Sequence, residues 1–225
     1  MPKPTGAAAA KRLIIYELDG TLVDSLEDLV AAVNVMLGEM GASPLSAREI
    51  RRHVGWGLHE LVRRCLCTDE ARRIERGMTR FRAYYGRHLL DHTQLYPGAR
   101  DVLDHFRARR QGIVTNKPNP FCRDVLEGLG VSGYFSEVIA GDSGHPKKPD
   151  PAGVRALLKS ARVDPSESLL VGDSPIDVET GRRARVFTIG VLNGFADEQE
   201  LQAAAPDAVA HDLGELLAMA KARGW

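Results

Sequence analysis

Leu13-Ile14-Ile15-Tyr16-Glu17-Leu18-Asp19-Gly20-Thr21 decides how the rest of the chain is read. Four apolar residues in a row are too few for a buried helix and suit a buried strand. The Asp-Gly pair that follows marks a loop. Similar short runs recur at Gly112–Thr115, Glu137–Ala140, Ser168–Val171 and Val186–Ile189. Helical patterns separate the later runs, for example Ala99 to Arg110 and Pro120 to Leu129. Strands alternating with helices predict an α/β fold, a parallel sheet with helices on both faces.

The first strand is followed by a gap. From Ser25 to about His92 the pattern is helical, with turns near Gly41–Pro44 and Gly55–Gly57. A helical insert over 25–92 therefore interrupts a core made of 1–24 and 93–225. The chain re-enters the core near Tyr96-Pro97-Gly98. The opening MPKPTGAAAAK lacks the apolar stretch of a secretion signal and reads as a frayed tail.

Lys plus Arg number 30 and Asp plus Glu 30, so no net charge draws the chain to nucleic acid or to an anionic membrane. The paired arginines (51–52, 63–64, 72–73, 182–183) fall in helical stretches and read as solvated faces. Three cysteines (65, 67 and 122) form no disulfide framework, and Cys65 and Cys67 lack partners at zinc spacing. No stretch is long and apolar enough to span a membrane. These features predict a cytoplasmic monomer or homodimer.

In an open parallel sheet, ligands bind beyond the carboxyl ends of the strands. That rule gathers Glu17, Asp19 and Thr21 after the first strand, Thr115 and Asn116 after the second, Lys148-Pro149-Asp150-Pro151 before a later helix, and Gly172, Asp173, Ser174 and Asp177 after the fourth. Carboxylates, a lysine, hydroxyls and glycines suit a hard cation and a phosphate. Magnesium takes oxygen ligands and keeps several waters, so two carboxylates and a carbonyl suffice.

YELDGTLVDS (Tyr16–Ser25), IVTNK (Ile113–Lys117), KPDP (Lys148–Pro151) and VGDSPID (Val171–Asp177) resemble, in order, the four motifs of the haloacid dehalogenase superfamily. The resemblance spans nearly the whole chain. It implies a Rossmann-like core with a small helical cap inserted after the first strand. VGWGLHELVRR (Val54–Arg64), LYPGARDVL (Leu95–Leu103), the VTNK motif and IGVLNGF (Ile189–Phe195) are similar, more narrowly, to phosphoglycolate phosphatases. The implied reaction is magnesium-dependent hydrolysis of a small phosphate monoester, with 2-phosphoglycolate first. A phosphate-ester-binding protein without turnover and a sugar phosphomutase or pyrophosphatase are the alternatives.

The resemblance also implies roles, and the cationic cap loop suggests one more, for Arg52. Glu17 stands at the nucleophile position, where the family has aspartate. Asp19 is to protonate the leaving alkoxide and then activate water. Glu17, the Asp19 carbonyl and Asp173 are to bind magnesium, with Asp177 orienting its waters. Thr115, Asn116, Lys148 and the amide of Gly20 are to hold phosphate, and Arg52 a substrate carboxylate. Plainer readings stand beside these: Asp19 as a turn former, Asp173 and Asp177 as helix N-terminal charges, Thr115 and Asn116 as a polar strand end, Arg52 as a surface residue. Lys147 competes with Lys148 for its role. Glutamate can act as a nucleophile, but its extra methylene moves the carboxylate by roughly 1 Å, enough to cost on the order of 10²-fold in rate.

Overall fold

The computed structural model describes residues 10–225. The expected frayed tail lies mostly outside the described residues. Six strands form one parallel sheet: β1 Leu13–Tyr16, β4 Arg110–Val114, β5 Glu137–Ile139, β6 Ser168–Gly172, β7 Phe187–Val191 and β8 Ala208–Ala210, in the order β5-β4-β1-β6-β7-β8. β1 is central. Its Leu13–Tyr16 pair with Arg110–Ile113 on one side and with Ser168–Val171 on the other. The chain builds outward from β1 to β4 and β5, then crosses back to β6. The carboxyl end of β1 is therefore the switch point of the sheet, where an open α/β fold forms its crevice.

Successive strand residues point to opposite faces, and β1 feeds two apolar layers. Ile14 and Tyr16 join Val102 and Leu103 of α5 (Ala99–His105) and Leu213 and Leu216 of α10 (Leu213–Ala222). Leu13 and Ile15 join Val154, Leu157 and Leu158 of α7 (Ala152–Ala161) and Ala184 of α8 (Pro175–Ala184). Burial on both faces explains why all four β1 residues are apolar. Helices α6 (Phe121–Gly128) and α9 (Glu198–Ala203) complete the core.

Between β1 and β4 lie α1 (Leu26–Glu39), α2 (Ala47–Arg51), α3 (Leu58–Cys65) and α4 (Ala71–His88). The chain leaves and returns through a short antiparallel ribbon, β2 (Val23–Asp24) with β3 (Gln94–Leu95). The buried Asp28 carboxylate braces its base, accepting from the amides of His92 and Thr93 and from Thr93 Oγ1. Gly77 of α4 lets that helix approach α1 and α3. A Cβ there would lie 2.7 Å from Val62 and 3.3 Å from Met36 Sδ.

Some boundaries differ from the sequence reading. The helix expected over Ala99–Arg110 stops at His105, because Arg110 already pairs with Leu13 in the sheet. β7 begins at Phe187 rather than Val186. Cys67 lies beyond α3, with φ of +46°. All three cysteines are free. Among the described residues, no helix is long and apolar enough to cross a membrane.

Candidate active site

The carboxyl ends of β1, β4 and β6 bring Glu17, Thr115 and Asp173 together, as the strand-end rule expects. Lys148 and Asp177 join them. Lys148 Nζ sits between two carboxylates, donating to Glu17 Oε2 and to Asp177 Oδ1. Thr115 Oγ1 donates to Glu17 Oε1 at 2.6 Å. Both oxygens of Glu17 are thus held by the hydroxyl and the ammonium expected to hold phosphate. Burial pushes the Glu17 carboxyl upward despite Lys148. Two carboxylates keep the buried Lys148 protonated and its pKa raised.

Asp19 has its own cation, which the sequence reading missed. Lys117 Nζ donates to both Asp19 oxygens at 3.1 Å and to Tyr85 Oη of α4 at 2.7 Å. Ser25 Oγ adds a hydrogen bond to Asp19 Oδ1 at 2.6 Å. Lys117 is buried, and its carboxylate and phenol neighbours raise its pKa against the cost of burial. Burial pushes the Tyr85 phenol up to about 12. The sequence placed Lys117 at the end of the IVTNK motif, two residues after Thr115, without giving it a role.

Asp173 is 4% exposed. It accepts from Thr21 Oγ1 at 2.7 Å and from the Phe195 amide at 2.8 Å. Burial, reinforced by the charge of Asp177, pushes its carboxyl up to about 7. Gly20 (φ +84°) lies against it; a Cβ there would come 2.4 Å from Asp173 Oδ2. Glycine is needed at this position for close approach and for backbone conformation alike. The Gly20 amide donates to the Val23 carbonyl.

Asn116 ties three segments together. Its Nδ2 donates to the carbonyls of Gly55 and Lys148, and its Oδ1 accepts from the Lys148 amide. The side chain is spent on bracing the Lys148 loop. Asp177 serves as both helix cap and charge partner: Oδ2 accepts from the Ser174 amide and hydroxyl, and Oδ1 takes Lys148. Lys148, not Lys147, is the lysine among the carboxylates. Arg52 lines the cavity beside the site and has no ion-pair partner among the described residues. Arg51, read from sequence as solvated, instead reaches across to the core.

The residues fit a hard cation. Four acids (Glu17, Asp19, Asp173, Asp177) stand against two ammonium groups (Lys117, Lys148), and a phosphate would deepen the negative excess. Asp173 has no cationic partner among the described residues and carries the cost in its raised pKa. Among the described residues, no three acids, histidines or cysteines already converge as a metal cage. One or two carboxylates with waters are enough for magnesium.

The raised pKa has a testable sign. Folding favours the protonated form of Asp173. The penalty is absent below its unfolded pKa, grows as pH rises, and is complete above about 7. In chelator at pH 8, Asp173→Asn is expected to raise the denaturation midpoint of the chain, with little gain at pH 4. Equal denaturation midpoints for the two proteins at pH 8 would contradict the burial argument.

A cavity of about 640 Å³ opens from this cluster between the α/β core and α2. Arg48, Arg52 and Trp56 line its helical side, and Asp197 and Glu200 its core side. Residues 14–191 match the family model described as haloacid dehalogenase-like hydrolase. The chain belongs to the haloacid dehalogenase-like hydrolases. This hydrolase is 38% identical over 216 residues to a phosphoglycolate phosphatase of Pseudomonas putida, covering 92% of this chain and 78% of that relative. It is 39% identical to a phosphoglycolate phosphatase of Rhodospirillum rubrum, covering 83% of this chain and 82% of that one. A crystal structure titled as a predicted phosphoglycolate phosphatase from Haemophilus somnus superposes with a TM-score of 0.88 at 27% identity, over 93% of this chain and 97% of the other.

Proposed function

We propose that this hydrolase is a magnesium-dependent phosphatase of a small phosphate monoester, with 2-phosphoglycolate the first candidate. One observation carries the reading: buried acids in excess over lysines, collected at the switch point of the sheet and open to one cavity. Such an arrangement is costly to fold and is explained by a cation and a phosphate ester. Arg52, without an ion-pair partner among the described residues, and Arg48 nearby on α2 support an ester that also carries a carboxylate. Residues 25–92 act as the cap, and 10–24 with 93–225 as the core. The cytoplasm is the proposed compartment, and the partner a small molecule.

In this reading a Glu17 oxygen attacks phosphorus and the bond to the ester oxygen breaks. Asp19 gives its proton to the departing oxygen. The phosphorylated Glu17 is then hydrolysed by a water whose proton Asp19 takes, releasing phosphate. Ser25 and Lys117 hold Asp19 at the loop end for that transfer. Glu17, Asp173 and the Asp19 carbonyl would hold magnesium, which when bound would supply charge neutralisation at the phosphoryl oxygens.

Glu17 favours a second reading at the same site, an ester-binding protein with little turnover. Its carboxylate occupies Thr115 and Lys148, the groups a bound phosphate needs. The deciding experiment is phosphate release from 2-phosphoglycolate with and without magnesium. Magnesium-dependent release supports the phosphatase. Ester binding without release supports the second reading. Release indifferent to magnesium would sink the metal assignment.

A further inference from the structure

Three polar ties near the site cross from the helical segment to the core, and each ends beside chemistry-bearing residues. Tyr85 Oη accepts from Lys117, which grips Asp19. The Gly55 carbonyl accepts from Asn116, which braces the Lys148 backbone. Arg51 of α2 makes the third. Its Nε donates to the Phe195 carbonyl at 2.6 Å, and one terminal nitrogen reaches the carbonyls of Gly194 at 2.9 Å and Ala196 at 3.3 Å.

That turn, just past β7, is also the support of Asp173. The Phe195 amide donates to Asp173 Oδ2 at 2.8 Å. Gly194 is pressed so close that a Cβ would lie 2.1 Å from Asp173 Cβ. So one short turn receives a guanidinium on its carbonyls and gives an amide to the carboxylate. A planar guanidinium converging on three successive carbonyls fixes the turn in position and orientation. The Phe195 ring anchors the turn in the core, but among the described residues Arg51 is the side chain that holds the 194–196 carbonyls.

We infer that Arg51 is a positioning residue that couples closure of the helical segment to the set of Asp173, and so to magnesium affinity. The inference rests on the magnesium reading above. When α2 is docked, Arg51 holds the 194–196 carbonyls and the Phe195 N–H stays aimed at Asp173 Oδ2. When α2 lifts, the turn is released and the carboxylate loses an oriented donor. Partners in the outer shell of a metal site commonly set affinity by 10- to 100-fold.

The test uses the full chain with Arg51→Met and Arg51→Lys, titrated with magnesium chloride by calorimetry and followed by amide hydrogen exchange. Arg51→Met is expected to weaken magnesium binding about tenfold and to speed exchange at residues 194–196. Arg51→Lys, which keeps the charge but not the fork, is expected to fall between it and the parent. A general loss of stability would not give that order, so melting curves of both variants accompany the titrations. Parental magnesium affinity in Arg51→Met overturns the inference. Failure of the parent chain itself to bind magnesium is a different result, which removes the metal reading and this inference with it.

Discussion

Replacing Glu17 by aspartate is expected to raise magnesium-dependent phosphate release from 2-phosphoglycolate by on the order of 10²-fold. The reason is geometric. The longer side chain carries its carboxylate onto Thr115 Oγ1 and Lys148 Nζ, the two groups that ought to meet the phosphoryl oxygens. A bound ester must displace that carboxylate before it can be attacked. The shorter side chain withdraws its oxygens by roughly 1 Å and leaves the hydroxyl and ammonium to the substrate. Inorganic phosphate should accordingly bind more tightly to Glu17→Asp and to Glu17→Ala than to the parent. Comparable turnover by the parent and Glu17→Asp would show that glutamate is a competent nucleophile here. Turnover by neither would discard the substrate, and a wider set of phosphate esters would follow.

The largest effect on stability is expected at Lys148. Its ammonium is buried between Glu17 and Asp177. Lys148→Met keeps much of the volume but leaves two buried carboxylates without their shared cation. Removing one partner of a buried ion pair costs about 3–5 kcal/mol. The loss should depend on pH in a defined direction. The stranded carboxylates escape the penalty by taking up protons, so the deficit shrinks as pH falls toward 5 and is greatest above neutrality. The Glu17 carboxyl, already raised by burial, should be the first to protonate. Urea denaturation of the parent and Lys148→Met at pH 5 and pH 8 makes the comparison. An equal deficit at both pH values would mean that lost packing, not stranded charge, is responsible.

Particular residues show how far the sequence could be read. Leu13–Tyr16 were legible because a strand buried on both faces has no choice but to be apolar throughout. β8, with only Ala208-Val209-Ala210, was not legible, since its pairing with β7 makes it a strand and its composition says little. The helix after Ala99 was read too long because nothing in Arg107-Ala108-Arg109-Arg110 breaks a helix locally. Its end is set by the pairing of Arg110 with Leu13, far away in sequence.

The site divides in the same way. Glu17, Asp19, Asp173 and Asp177 could be found because each lies at or just beyond a strand end, and strand ends converge in a parallel sheet. The bonds of the Asn116 side chain were not legible, because its partners, Gly55 and Lys148, come from two other segments. Lys117 and Tyr85 were passed over for the same reason, and Arg51 looked like any surface arginine on a short helix.

By itself the sequence determined the α/β alternation, the helical insertion after the first strand, and the chemical types gathered at the strand ends. These are set by local periodicity and by the geometry that any parallel sheet imposes. Only the tertiary structure decided which cation serves which carboxylate, that Glu17 reaches Thr115 and Lys148, and that Arg51 closes on the turn holding Asp173. Hydrogen bonds and buried charges act over about 3 Å, and residues a hundred or more positions apart come that close only once the chain has folded.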